Sequence, residues 1–272
     1  MIRRHVGDEF WLITQDDHAQ ISGHFAAAIG NDLFSPLSST PAILGIALHD
    51  CGWPLHDDQP ILNDENLPLD VFETPRDIAL KIWEASAENA ARRDNYAGLL
   101  VSLHSLGLSV YVAGLSSTLT DPRNLFEMNR FQHKMVELQE SLRQRLGMKN
   151  DRPLKHGLSM DARDPREQKL LFDFRWLAAL DRLSLAICCT QPPFDAMEIL
   201  PRIGEPTMSI KIAREGNELL LDPWPMNNSR IEIDVPHRRV AAKKYADVAE
   251  FRAAYAAAPI ERFTATVRQR TI

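Results

Sequence analysis

From Asn95 to Thr120 the chain carries no Asp, Glu, Lys or Arg, and this stretch limits the folds open to it more than any other. An uncharged run of that length either crosses a bilayer or lies at the centre of a protein, wrapped by other elements. Serines, glycines and His104 are scattered through it. The run is therefore read as a central buried helix and not as a membrane span, so the remaining chain must supply the layer that covers it. With 272 residues, 44% of them hydrophobic and 25% charged, there is enough chain for one large domain, or for one domain and a small appendage.

Helix start signals recur on both sides of that run. "TQDD" at Thr14 to Asp17 reads as a capping box opening a helix to about Gly30. Ser39 or Thr40 followed by Pro41 opens a second, with Gly52 read as the left-handed residue that closes it. "TPRD" at Thr74 to Asp77 opens a third to about Arg93, and Asp94 or Asn95 starts the uncharged helix. Asp121-Pro122 begins a fifth that ends at Gly147, and Asp164-Pro165 with Glu167 a sixth that ends near Thr190. The polar run between Gly147 and Asp164 reads as a lid or a plain connection.

Beyond Pro192-Pro193 the periodicity changes. "TMSIKIAREGNELLLDPW" alternates and contains a Gly-Asn turn, the pattern of a hairpin; "RIEIDVPHRRV" and "ERFTATVRQR" add two strand-like runs, with a short helix near Val248 to Ala257. "MIRRHV" and "FWLIT" read as another hairpin on the same sheet. The expected fold is mainly α: about six helices over residues 14–191, with a small antiparallel β-sheet formed by residues 205–272 and the hairpin of residues 1–13.

Four of these helices each offer a polar group on an apolar face. His18 shares a stripe with Ile21, Phe25 and Ile29; His49 continues Ala42 and Ile46; His104 sits mid-way along the uncharged run; Asp181 interrupts Phe174, Leu177 and Leu185. Asp50, beside His49, would face the partial negative charge of a helix C-terminus, which is unfavourable. Any one buried His is more often a hydrogen-bonded core residue than a ligand. Asp181 by itself suggests an ion pair with a buried Arg, for which Arg175 and Arg182 are poorly directed. Taken together, imidazoles and carboxylates suit a divalent transition metal, Mn, Fe, Co, Ni or Zn, with Mg a weaker fit. A dication would offset the misplaced Asp50. Without it, Asp50 and Asp181 are expected to raise each other's pKa by repulsion and desolvation.

A formal charge of -6 gives no basic field for nucleic acid, so a small-molecule partner is expected. The three cysteines, Cys51, Cys188 and Cys189, lack zinc-finger or redox spacing, and the start "MIRRHVGDEFWLIT" shows no apolar signal region. The expected location is the cytoplasm.

A His, a His-Asp pair thirty-one residues later and a distant Asp in a long helix resemble the HD-domain superfamily of metal-dependent phosphohydrolases. Within it, "QDDHAQISGHFA", "HDCGW" and "GLLVSLHS" resemble an uncharacterised bacterial family, domain of unknown function 3891, over nearly the whole chain. The resemblance implies an HD-type helical bundle in which His18, His49, Asp50 and Asp181 ligate the metal. His104 becomes a further ligand or faces the substrate, and Asp50 and His104 stand as catalytic groups. The implied activity is hydrolysis of a phosphorylated small molecule, a phosphomonoester or nucleotide, by a metal-bound hydroxide. A metal-binding regulatory or ligand-binding protein without turnover, and a di-iron oxygenase on the same scaffold, are the alternatives. The Glu that many HD nucleotide phosphatases carry after the pair is replaced by "CGWPL", leaving the general acid unassigned; Asp57 and Asp58 qualify only by proximity. A second pair, His56-Asp57, reads as a decoy in a Pro-flanked loop.

Overall fold

The computed structural model describes residues 1–115, 121–148 and 164–270. A hairpin of Ile2–Val6 (β1) and Glu9–Ile13 (β2) leads into seven helices: Gln15–Ala28 (α1), Thr40–Ala47 (α2), the single turn Pro54–Asp57 (α3), Arg76–Arg93 (α4), Asn95–Leu115 (α5), Pro122–Arg145 (α6) and Pro165–Cys188 (α7). Ala196–Ile199 (β3), Met208–Glu215 (β4), Glu218–Asp222 (β5) and Arg230–Ala241 (β6) follow, then Val248–Ala257 (α8) and Ile260–Gln269 (β7).

The local signals mostly hold. Thr14 Oγ1 accepts from Asp17 N at the start of α1, Ser39 caps α2, and Asp121 and Asp164 accept from Arg123 N and Arg166 N at the starts of α6 and α7. The exception is α4, whose N-cap is Pro75 and which has no side-chain cap, so Thr74 does not form the box its spacing suggests. The polar run after Gly147 falls largely on residues 149–163, and the end of the uncharged run on residues 116–120, both outside the described residues.

The expected fold class is overturned. About half of the chain is helical, and the strands form one seven-stranded mixed sheet curled into a half-barrel, not a small antiparallel appendage to an HD-type bundle. The strand order is β1-β2-β6-β7-β5-β4-β3. Here β7 enters between β5 and β6, which are consecutive in sequence, and pairs parallel with β5 (Glu218 opposite Thr266) and antiparallel with β6 (Ile231 opposite Val267). Alternation of apolar residues reports that a segment is a strand, but carries no information on which strand lies beside it. The short edge strand β3 had no legible alternation of its own.

One face of the sheet and the helices share a core. Ile210, Leu219, Ile231, Ile233 and Val267 from the sheet cluster with Phe25 of α1, Ile46 of α2 and Trp176 and Leu180 of α7. A second cluster joins Trp83 and Ala87 of α4 to Val101 of α5 and Phe131 and Met135 of α6. The uncharged helix α5 is thus covered by α2, α4, α6 and α7, and Ser105 Oγ donates to Trp83 O across that packing. No described helix is long and apolar enough to cross a membrane.

The approach of α1 to α2 depends on Gly23, where a Cβ would lie 2.5 Å from that of Ala47. Gly23→Ala should therefore push the two helices apart and lower stability by about 1–3 kcal/mol in denaturant titrations. An unchanged midpoint would show that this contact has slack.

Candidate metal centre

Helix α1 carries His18 on its buried face, two turns below Phe25, and only 1% of the residue is exposed. His49 and Asp50 do not end α2. That helix closes at Ala47 with Leu48 as its C-cap, and the pair occupies the turn beyond. Gly52 corrects its sequence reading as well: it is not among the residues with positive φ. A Cβ there would come within 2.4 Å of Ile82 O and 2.6 Å of Ser86 N, while Gly52 N donates to Ser86 Oγ at 2.9 Å. Glycine is needed so that the turn can rest on α4, and that contact holds His49 and Asp50 in place.

All five residues singled out from the sequence come together. His49 Nε2 lies 3.1 Å from His18 Nε2. Asp50 Oδ2 is 3.4 Å from His18 Nε2 and 3.7 Å from His49 Nε2; Asp181 Oδ1 is 3.3 and 3.6 Å from the same two atoms. The other oxygen, Asp181 Oδ2, lies 3.6 Å from His104 Nε2. Two overlapping groups, His18/His49/Asp50 and His49/His104/Asp181, each bring their donor atoms within 4.8 Å of one another and could hold a metal ion. Asp181 is thus partnered by histidines.

The ring orientations have causes in the backbone. His49 Nδ1 lies 2.7 Å from Ile46 O, and a carbonyl only accepts, so the Nδ1 hydrogen is committed there and the lone pair of neutral His49 sits on Nε2. His18 Nδ1 lies 2.6 Å from Ser184 Oγ, which itself donates to Asp181 O at 2.9 Å. His18 therefore donates from Nδ1 and also turns its Nε2 lone pair inward. Two lone pairs facing each other at 3.1 Å repel unless a cation lies between them. Around an ion with bonds of about 2.1 Å, tetrahedral ligand atoms stand about 3.4 Å apart. The N···N and N···O separations scatter about that value, and the N···O distances, 3.3 Å and longer, are too long for strong direct hydrogen bonds.

In the absence of an ion, a proton serves instead. Burial disfavours the charged form of every group here. At His18 the carboxylates of Asp181 and Asp50 outweigh burial and raise the pKa to about 9. His49 moves up too, Asp50 being the leading favourable charge. Burial also pushes the two carboxylates up, but the histidines hold Asp50 below its ordinary value and Asp181 well below. The expected mutual raising of Asp50 and Asp181 is thus reversed, because protonated imidazole lies between them. Burial takes His104 the other way, to about 4.

The other candidates lie apart. His24 is exposed and His56 half-buried. Asp57 is buried, with Oδ1 2.8 Å from the Met1 amino group and Oδ2 accepting from Gln15 N at 2.7 Å, while Asp58 is exposed. The second His-Asp pair lies in the single helical turn α3, not in an open loop. The Cys51 thiol donates to Ser86 O at 3.4 Å and is pushed up to about 11 by burial, which fits packing, not ligation. Sequence reasoning missed Ser184, Ser22 and the Ile46 carbonyl, which orient the rings or support them; Ser184 follows Asp181 by three residues, the only local hint.

Asp50, His104 and Asp181 form part of the wall of a cleft of about 740 Å³. Trp53, Phe72, Trp83, Tyr111 and Phe174 line it as well. The molecule is thus an α+β protein with a buried cluster of metal-competent His and Asp side chains opening on a cleft lined in part by aromatic rings. The chain belongs to the family described as Protein of unknown function (DUF3891), whose model matches residues 1–242 and so spans all five clustered residues. No curated protein and no solved structure matches it.

The linkage between protons and folding has a definite sign. Because folded His18 titrates at about 9 and an unfolded His at about 6.5, its contribution is complete below the lower value and is lost as pH rises through the higher. In chelator, Tm should fall as pH is raised from about 6.5 toward 9, and the shift produced by added Mn should grow over the same range, since the ion replaces the His18 proton. Asp181→Asn should lower Tm in chelator at pH 7, because it strands that proton, and should abolish most of the metal-induced shift. Thermal melts of both proteins check this; an unaltered metal shift in Asp181→Asn would remove Asp181 from the ligand set.

Proposed function

We propose that this protein is a metal-dependent phosphohydrolase of the HD type that acts on a phosphorylated small molecule. The observation that carries the reading is the pair of imidazole Nε2 atoms 3.1 Å apart, each with its Nδ1 committed as a donor and with Asp50 and Asp181 closing the cluster. Nitrogen and carboxylate donors in this mixture suit Mn, Fe, Co, Ni or Zn better than Mg. His49 belongs to both donor groups but has one free lone pair, so they describe a single ion. When bound, such an ion supplies Lewis acidity, polarising a phosphoryl oxygen and making a water acidic near neutral pH.

The chain's own residues do the remaining work. Ser184 and Ile46 O hold His18 and His49 with Nε2 inward, so binding an ion demands no ring rotation. Asp50, His104 and Asp181 belong both to the donor cluster and to the cleft wall, which makes them the cluster groups able to touch a substrate. His104, neutral at pH 7 because burial lowers its pKa to about 4, offers Nε2 as an acceptor or a fifth ligand.

Purified protein loaded with Mn, Co or Ni should hold about one ion per chain by elemental analysis and should hydrolyse a phosphomonoester or nucleotide from a broad panel. Asp50→Asn should lower that activity by about a hundredfold or more, and His24→Ala should leave it unchanged. Stoichiometric metal without turnover across the panel would move the reading to a metal-dependent ligand-binding protein. The commitment of Asp57 to Met1 and Gln15, which removes it as a general acid, favours that second reading.

A further inference from the structure

Arg182 follows Asp181 on α7, so the two side chains leave the helix about 100° apart. Asp181 turns into the histidine cluster. Arg182 also reaches the cleft, but its guanidinium carbon lies 4.6 Å from the ring centroid of Phe194, in the segment between α7 and β3. Among the described residues it has no ion pair and no hydrogen bond, and it is half-buried. A guanidinium resting over an aromatic ring through its cation–π attraction still has N–H groups that can meet two oxygens of one oxyanion.

The walls around it combine aromatic rings with a few polar side chains, Gln15, Thr74 and Arg76 among them. Phe72 and Tyr111 are 59% and 55% exposed although both are large aromatic residues, and both line the cleft with Trp53, Trp83 and Phe174. A body that covers these exposed aromatic faces is itself flat and apolar. The cleft volume of about 740 Å³ suits a small molecule.

We propose that Arg182, presented by Phe194, is the anion-recognition residue of the cleft, and that the ligand is an aromatic ring bearing a phosphoryl group directly or through a short link. The inference rests on the phosphohydrolase reading only for the reaction; the recognition can be measured without turnover. Phenylphosphonate, which has no ester bond to hydrolyse, is the probe, and methylphosphonate is its counterpart without the ring.

Calorimetric titration of the Mn-loaded protein should show phenylphosphonate binding at least about tenfold more tightly than methylphosphonate. Arg182→Gln should weaken phenylphosphonate by about tenfold or more, and Arg182→Lys by less, since it keeps the charge and loses the fork. Phe194→Leu should weaken it several-fold by releasing the guanidinium. In all three variants the metal content and the metal-induced Tm shift should match wild type, which separates anion recognition from ion binding and from misfolding. Equal affinity for the two phosphonates would overturn the aromatic class. Arg182→Gln binding as tightly as wild type, or no phenylphosphonate binding by wild type at millimolar concentration, would overturn the assignment of Arg182. Binding that depends on Arg182 in a protein that hydrolyses no phosphoester would leave the recognition intact and sink the hydrolase reading instead.

Discussion

Two imidazole nitrogens facing each other across 3.1 Å in a buried space are the constraint around which the helical layer is arranged. Lone pairs at that separation repel, and two carboxylates beside them would be costly if each were alone. A proton on His18 or a divalent ion between the donors resolves both problems with one positive charge. The cluster therefore ties together α1, the turn after α2, α5 and α7, four parts of the chain with few local reasons to meet. The cluster thereby links stability to pH, and its donor atoms could hold a metal ion in place of the proton.

The sheet contributes by holding the C-terminal end of α7. Arg4 of β1 donates to Ile187 O at 2.7 Å, and Arg214 of β4 donates to Ala186 O and Ile187 O. Both guanidiniums thus sit at the C-terminal end of α7, where exposed carbonyls carry partial negative charge. Strand β6 packs against α1, and β3 against α7. The β-structure is therefore not remote from the chemistry: it anchors the helices that carry His18, Asp181 and Arg182.

The cleft follows from the same arrangement. Residues of α4, α5 and α7 and the segments around Trp53, Phe72 and Phe194 converge over the cluster, so the metal-competent groups form its polar end and aromatic rings its walls. A polar end and an apolar body are the two halves of a small-molecule site. In this cleft they imply a ligand with the same two halves.

Much of the site was legible in the sequence because buried polar residues break an apolar stripe, and a break at Asp181 or His18 can be read from helical spacing alone. Caps such as Thr14, Asp121 and Asp164 were legible for a similar reason: each acts on backbone groups within three residues. Gly52 was misread because a glycine closing a helix and a glycine pressed against another backbone look identical in one dimension; only the position of α4 distinguishes them. The directions of the Asp50 and Asp181 pKa shifts were misjudged because they depend on imidazoles delivered from other elements. The contact of Arg182 with Phe194 was out of reach for the same cause, since the two meet only after the chain turns from α7 toward β3. Local periodicity and capping thus determined which segments are helix or strand and which side chains face inward. Strand order, the insertion of β7 between β5 and β6, the ring orientations and the cleft were decided by contacts between distant segments, whose energies depend on distances that no spacing along the chain records.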